Sequence, residues 1–288
     1  MKYAFIRAHD QEFRIRSMCR VLGVSRSGYY GWLDRPVSHR LEANQRLLAE
    51  IRRVHGQARG VYGALKTWQQ LCAQGIPCGK HRVARLRRRH GIEATRRRRF
   101  KITTHARKRQ AMTPDLVQRG FTAPAPNRVW VGDVTCVATR QGWLYVAVLL
   151  DLYSRKVVGW AMAERINTAL VLQALRMALL ARRPAPGLIH HTDRGAIYTA
   201  DEYRALLAAH GLAASMGRTG DCYDNAVAES FFSTVKNELA ATRAYASRAD
   251  AQTALFEYIE VFYNRQRLHQ TLGYRTPQHV DEQVLSHN

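Results

Sequence analysis

Apolar and polar positions change period part-way along the chain. From residue 128 onward the strand-type runs begin. RVWVGDVTCVAT (128–139), WLYVAVLLDLYS (143–154) and RKVVGWAMAE (155–164) are rich in β-branched and aromatic residues. The Gly142 break and the DLYSR corner are short enough for an antiparallel meander. A helical period follows over about Thr168 to Ala181, with Leu170, Val171, Ala174, Leu175 and Ala178 on one face. PAPG (184–187) precedes another strand, LIHHT (188–192). Then come a short helix near Asp201 to His210, a strand near Leu212 to Met216 and a glycine-containing loop. Three strands, helix, strand, helix, strand, helix is the order of an RNase H-like mixed α/β sheet, one of several α/β arrangements that periodicity alone allows.

The last helix of that block, DNAVAESFFSTVKNEL (224–239), carries an apolar stripe. At 100° per residue Val227, Ala228, Phe231, Phe232, Val235 and Leu239 fall within an arc of about 140°. Asp224 is a fair N-cap. Glu229 lies about 60° beyond Phe232, with Lys236 about 20° and Asn225 about 40° from it, so the three form one polar ridge beside the stripe. An ordinary solvated helix edge has the same look, so the ridge gains meaning only if Glu229 has company elsewhere.

The first half of the chain is helical in pattern. IRSMCRVLGVSRSGYYGWL (15–33) reads as helix, tight turn at Gly23 and helix, with Met18, Val21 and Leu22 as one apolar face and Ser25 as an N-cap. In LEANQRLLAEIRRVHG (41–56), Leu41, Leu48, Ile51 and Val54 recur near helical spacing. A second helix-turn-helix follows, from Val61 to Cys72, a GIPCG break (75–79) and KHRVARLRRRHGI (80–92). On its second helix Val83 and Leu86 point inward, with Arg82, Arg85, Arg87, Arg88 and Arg89 around them. A small helical bundle with a basic face fits this pattern, but arginine concentrated on the second helix favours DNA contact. RRRRFKITTHARKRQ (96–110) is a basic run, followed by the extended FTAPAPN (121–127). It reads as a linker that tracks phosphates and is poorly ordered without nucleic acid.

Charge sharpens this division. Of the net +23, residues 1–126 carry 28 Lys and Arg against 7 Asp and Glu, a net +21; residues 127–288 carry 17 against 15, a net +2. Such a field attracts polyanions and releases counterions on contact, so nucleic acid is the expected partner. The longest strongly apolar run, YVAVLL, is too short to span a bilayer and MKYAFIRAHD lacks a signal-peptide core, which predicts cytoplasmic residence. Five scattered cysteines argue for reduced thiols, and Cys72, Cys78 and His81 lack a second pair at zinc-finger spacing.

The candidate chemistry lies in three acids. Asp133 sits among Val131, Val134 and Val137, where an unpaired ionised carboxylate costs several kcal/mol. It must therefore sit at a strand end, pair with a cation or bind metal. Asp193 follows the strand LIHHT, where ligands gather in an open sheet. With Glu229 these acids can converge on a pair of divalent cations. Magnesium favours oxygen ligands, and two such ions can clamp the attacking and leaving oxygens of a phosphodiester displacement.

Asp133, Asp193 and Glu229, with 59 and 35 intervening residues and Lys236 seven beyond the glutamate, resemble the D-D-E signature of bacterial insertion-sequence transposases of the IS-three type, relatives of retroviral integrases. NRVWVGDVT, GWLYVAVLLDLYSRKVVGWA, HTDRG and YNRQRLHQTLGYRTP are similar to the same family, over essentially the whole chain. The resemblance implies a polynucleotidyl transferase that cuts and joins DNA at element ends. Asp133, Asp193 and Glu229 would be its catalytic, metal-binding triad, with two Mg2+ ions (Mn2+ as a substitute) and Lys236 as a DNA contact. Arg82, Arg85, Arg88, Arg89, Arg96, Arg97, Arg98, Arg99 and Lys101 are the expected further DNA contacts.

The expected organisation is a helix-turn-helix-like segment over 1–38 and a second helical DNA-binding domain over 39–95. A basic linker over 96–126 then leads to an RNase H-like catalytic domain with a C-terminal helix over 127–288. The expected partners are terminal inverted repeats, target DNA, further copies of the chain in at least a dimer on DNA, and an upstream-frame protein or frameshift fusion, since MKYAF resembles the start of the family's downstream frame. Residence at the nucleoid follows. Gly132 stands where the family usually has Thr or another residue, read here as harmless because the carboxylate follows regardless. A nuclease of the same fold that cuts without joining, and a DNA-binding regulator with an inactive core, are the rival readings. His190 and His191 read more readily as packing than as metal-site groups, and Trp130, Trp143 and Trp160 as core. Whether Tyr263, Asn264, Arg267 and His269 pin the last helix or touch DNA stays open.

Overall fold

The computed structural model describes residues 1–36, 38–95, 113–117, 120, 122–217, 226–239 and 245–285. Asp224, Asn225, the loop before them, and Arg96, Arg97, Arg98, Arg99 and Lys101 lie outside the described residues. The chain forms two compact units, Met1–Arg52 and Arg53–Asn288.

The first unit contains α1 (Lys2–Ala8), α2 (Ile15–Val21), α3 (Arg26–Leu33) and most of α4 (His39–Gln57). A small core gathers Ile6, Met18, Cys19 and Tyr29. The Ser25 hydroxyl caps α3 by accepting from the Gly28 amide at 3.0 Å. The apolar face of α2 differs from the one expected. Val21 is 81% exposed, while Ile15, Met18, Cys19 and Leu22 pack together at the spacing of a single helix face. For the same reason Leu41 on α4 is exposed and Leu47 takes an inward place beside Leu48, Ile51 and Val54.

In the second unit, β1 (Val129–Thr139), β2 (Gly142–Asp151), β3 (Val157–Ala163), β4 (Ile189–Thr192) and β5 (Ala213–Met216) form one sheet in the order β3-β2-β1-β4-β5. The β1–β2 and β2–β3 pairs are antiparallel, and β4 and β5 add in parallel. This is the mixed sheet expected of an RNase H-like core. The period of two along β1 divides its side chains between two cores. Trp130 and Val134 join the layer of α7 (Thr168–Arg182), α8 (Ala196–Thr199) and α9 (Asp201–Ala209). Val129, Val131 and Val137 join the layer of α10 (Ala226–Leu239) and α11 (Arg248–Phe256). On β3, Gly159 lets α7 approach closely, since a Cβ there would collide with the backbone oxygen of Ala174.

Trp130 is fully buried, but Trp143, near the start of β2, is 52% exposed. Trp160 is half-buried, with its indole N–H donating to Glu260 at 2.7 Å. Part of the expected loose linker is fixed along β5. The Leu116 amide donates to Ser215 Oγ at 2.9 Å and the Met216 amide to the Pro114 carbonyl at 3.2 Å.

The helix pair α5 (Ala64–Ala73) and α6 (Lys80–Arg89) belongs to the same compact unit as the sheet. Val61 and Tyr62, expected inside α5, precede it as extended chain, and Val61 packs into the core shared by α10 and α11. After α11, which starts with a Ser247–Asp250 capping box, the chain widens into a π-helical turn over Glu257–Tyr263. Asn264 then pairs with the first residue of β3, accepting from the Val157 amide and donating to its carbonyl, both at 3.0 Å. The final α12 (Pro277–Leu285) is tied back through Asp281. Among the described residues no helix is long and apolar enough to cross a membrane.

Candidate active site

Asp133 lies midway along β1, opposite Val148 of β2. Its odd-numbered position turns it to the α10 side of the sheet, with Val129, Val131 and Val137. On the other flank β4 pairs with β1 only as far as Val131, opposite His191. Asp133 therefore stands just past the point where β4 leaves β1. A carboxylate inside a strand is tolerated because the sheet forks beside it. Asp193 is the first residue beyond β4; it is exposed and accepts from the Gly195 amide at 2.9 Å. Glu229 is exposed in the first turn of α10, and Lys236 is half-buried nearly two turns on.

These four side chains meet electrostatically at Asp133. Burial, reinforced by the negative charge of Asp193, pushes its carboxyl up to about 7. Glu229 pushes the same way, while the Val134 amide, donating at 2.7 Å, and the Lys236 ammonium oppose the shift. Glu229 is itself raised by partial burial. Among the described residues no three His, Cys, Asp or Glu side chains are drawn close enough together to hold an ion as they stand. The donor set nevertheless fits magnesium in kind: hard carboxylate oxygens, mutually repelling, two of them on exposed side chains.

Behind Asp133, Gly132 is not interchangeable with a larger residue. A Cβ there would lie 2.9 Å from His190 Cε1 and 3.2 Å from Thr192 Cγ2. The missing side chain makes room for His190, which is fully enclosed and bonded through Nε2 to the Tyr203 hydroxyl at 2.6 Å. His191 bonds Ser215 Oγ of β5 at 2.8 Å. Both histidines thus tie β4 to its neighbours, and burial holds His190 neutral, pushed down to about 3.

On α6, Arg85, Arg88 and Arg89 are exposed and Arg82 is half-buried. Arg87 departs from the basic face. It is 4% exposed and donates to Thr67 Oγ1 at 3.0 Å and to the Tyr62 carbonyl at 2.8 Å. The open question over the segment at 263–269 resolves toward anchoring. Asn264 holds β3, Arg267 forks onto Glu238, and the His269 ring meets Tyr263 edge-on at 4.9 Å. Sequence reasoning missed Glu238, although its position three residues past the stripe residue Val235 puts it beside the buried face. It also missed Asp151, whose Asp-Leu-Tyr-Ser context is a turn signal.

Two families described as integrase core domains match residues 123–222 and 210–277, and an HTH-like domain family matches residues 42–100. The insertion element IS600 uncharacterized 31 kDa protein of Shigella sonnei is 44% identical over 260 residues, 90% of this chain and 96% of that protein. Transposase InsF for insertion sequence IS3A of Escherichia coli (strain K12) is 39% identical over 288 residues, 99% of this chain and 100% of that one. Among solved structures, the HTLV-2 integrase catalytic core domain in complex with magnesium (trimeric form) aligns with a TM-score of 0.44 and 16% identity over 55% of this chain and 99% of that one, too slight a likeness to add to the sequence matches.

Proposed function

The chain belongs to the IS3-type family of insertion-sequence transposases, and from that premise we propose that Asp133, Asp193 and Glu229 are its catalytic carboxylates. The protein is a DNA transposase, a polynucleotidyl transferase with an integrase core and an HTH-like region. In the reaction a water oxygen attacks a phosphodiester at the element end and the DNA 3′-oxygen leaves as a hydroxyl. That hydroxyl then attacks a phosphodiester of target DNA, and the target's own 3′-oxygen departs. No covalent link to the protein forms at either step.

The observation that carries the assignment is the place of Asp133 beside the fork of the sheet, where β4 leaves β1 and Asp193 follows β4 directly. Its carboxyl is pushed up by burial and then by the charges of Asp193 and Glu229, against the Val134 amide and Lys236. The three acids would hold two Mg2+ ions, or Mn2+ in their place, which when bound supply the activation of the attacking oxygen and the neutralisation of the leaving one. Lys236 would engage a phosphate beside them as a point charge. Arg82, Arg85, Arg88 and Arg89 on α6, within a DNA-binding region at 39–95, would contact the terminal inverted repeat, and the basic run with Arg96 to Arg99 and Lys101 would follow the backbone. Assembly of at least two copies on paired ends, association with an upstream-frame product and residence at the nucleoid complete the proposal.

The test is product mapping. The protein is incubated with a labelled element end, a target plasmid and magnesium. Joined products with a 3′ end covalently in the plasmid support the transposase reading in full. Cleavage without joining makes it a nuclease, and binding without magnesium-dependent cleavage makes it a regulator.

A further inference from the structure

Polar contacts, joined through Tyr62 and the backbone of residues 266–268, lead from the arginine-rich helix to the helix that carries Glu229. They start at Arg87 on α6, which is 4% exposed and donates to the carbonyl of Tyr62 at 2.8 Å. Tyr62 is 2% exposed, and its hydroxyl is used twice. It donates to the Gln266 carbonyl at 3.0 Å and accepts from the Leu268 amide at 2.7 Å. Between those two residues stands Arg267, 5% exposed, whose Nε and Nη2 reach the two oxygens of Glu238 at 2.9 and 2.7 Å. Glu238 lies on α10 and also accepts from the Tyr258 hydroxyl at 2.7 Å. Glu229 is nine residues earlier on that helix, about 13 Å along its axis. Arg59 reinforces the junction by pairing with Glu257 at the start of the π-helical turn.

The composition of this path matters. Its groups are buried, charged or doubly bonded, and none lies among the three acids. Replacing one of them leaves a buried partner unsatisfied, so the junction resists sliding in a way that an apolar contact does not. A merely adhesive interface between a DNA-reading pair and a core would be served by apolar packing such as that of Val61.

We propose that the Arg87–Tyr62–Arg267–Glu238 path is a ruler: it fixes α6 relative to α10 so that the phosphate cut lies at a set distance from the sequence that α6 reads. Tyr62, Arg87, Arg267 and Glu238 are positioning residues that touch neither DNA nor metal. The proposal rests on the reading of α6 as a DNA contact and of Glu229 as catalytic.

The experiment uses the full chain with magnesium and duplexes carrying the element end. Binding is followed by footprinting and cleavage by mapping the cut phosphate. In one series, five base pairs are inserted between the footprint of α6 and the cut site. The ruler predicts that the cut either shifts by five base pairs with the footprint or falls at least tenfold in rate. A cut retained at the original terminal phosphate at the original rate overturns it. In a second series, Tyr62→Phe removes both hydroxyl bonds. The expected result is affinity for the end within threefold of the unsubstituted protein, with cuts spread over several neighbouring phosphates or slowed at least tenfold. A single cut position at an unchanged rate overturns the proposal. Should Tyr62→Phe fail to fold, the insertion series on the unsubstituted protein decides. Arg85→Ala separates the two levels: an unchanged footprint and affinity remove α6 from the DNA, and the ruler falls with that reading rather than by its own fault.

Discussion

Two groups of carboxylates sit against the same sheet and are treated in opposite ways. At one end, Asp151 and Asp281 are almost fully enclosed. Asp151 accepts from the amides of Asn127, Tyr153 and Ser154 and from the Ser154 hydroxyl, at 2.7 to 3.1 Å. Asp281 takes a forked contact from Arg182 at 2.6 and 2.7 Å and a third from Lys156 at 3.1 Å. Burial alone would raise its carboxyl, but the two cations outweigh burial and hold it below the usual carboxylate range. At the other end, Asp133 is half-buried among Asp193 and Glu229, and its carboxyl is pushed up to about 7. The first group is satisfied by donors and cations of the fold itself. The second sets like charges near one another against the Val134 amide and Lys236, a perturbation of the kind that gathers at functional sites.

The contrast breaks most sharply at Asp133, Asp193 and Glu229. Asp133→Asn, Asp193→Asn or Glu229→Gln each removes a negative charge while keeping shape. Each is expected to lower magnesium-dependent strand cleavage at least about a thousandfold, some 4 kcal/mol of barrier, with end binding retained. Asp133→Asn is also expected to melt no lower than the unsubstituted protein, since it removes a crowded charge. Single-turnover cleavage with parallel melting curves checks both. Full activity in any one variant would take that residue out of the site.

Next in size is the satisfied group. Asp281→Ala leaves Arg182 and Lys156 without their buried counter-charge and is expected to destabilise the fold by about 3 to 5 kcal/mol. Urea unfolding measures this, and a loss under about 1 kcal/mol would show that α12 is held by other means.

A smaller effect separates the acids from the buried bases. Burial, aided by the Arg267 charge, pushes His269 down to about 2, and His190 stands at about 3. Both are neutral in the fold and titrate near 6.5 when unfolded. The unfolded chain therefore binds more protons below about 6.5, and stability falls as pH drops, by up to about 1.4 kcal/mol per pH unit for each ring. Asp281 acts in the same direction only lower down, as pH falls through its depressed folded value. Asp133, pushed up to about 7, opposes them, since the folded chain takes up that proton before the unfolded chain does. The variants are therefore compared with one another: between pH 7 and 4.5 the unsubstituted protein is expected to lose more stability than His269→Asn. An equal slope in the variant would mean that His269 is protonated in the fold.

The division between the two groups was half visible in the sequence. Asp133, Asp193 and Glu229 stood out because each interrupts or borders an apolar pattern, and the strand and helix periods placed them on the right elements. Arg87 and Arg88 are adjacent arginines in one basic run, yet one is enclosed and the other exposed. Nothing local distinguishes them; the difference is made by Tyr62 and Thr67, some 20 residues earlier. Likewise the partners of Asp281 lie 99 and 125 residues upstream, at Arg182 and Lys156. Periodicity reads which face turns inward, but it cannot read which distant group meets it there. The widening of the helix at Glu257–Tyr263 and the docking of Asn264 on β3 were hidden for that reason too.

The smallest expected effect concerns Lys236, which belongs to neither group fully. It is half-buried, and its charge favours the ionised form of Asp133, yet it lies about 10 Å along the helix from Glu229. If it served as a structural counter-ion in the manner of Arg182, its loss would cost stability on the scale of Asp281→Ala. If it serves DNA, the fold should hardly notice, because partly solvated charges of this kind contribute about 0.5 kcal/mol or less. Lys236→Ala is therefore expected to leave the melting temperature within a degree or two, to weaken engagement of the element end several-fold, and to reduce the salt dependence of binding by about one phosphate contact. Binding isotherms at three salt concentrations beside a melting curve decide it. A drop in melting temperature comparable to that of Asp281→Ala, with the salt slope unchanged, would move Lys236 into the satisfied group and leave Asp133 as a carboxylate with its own counter-ion.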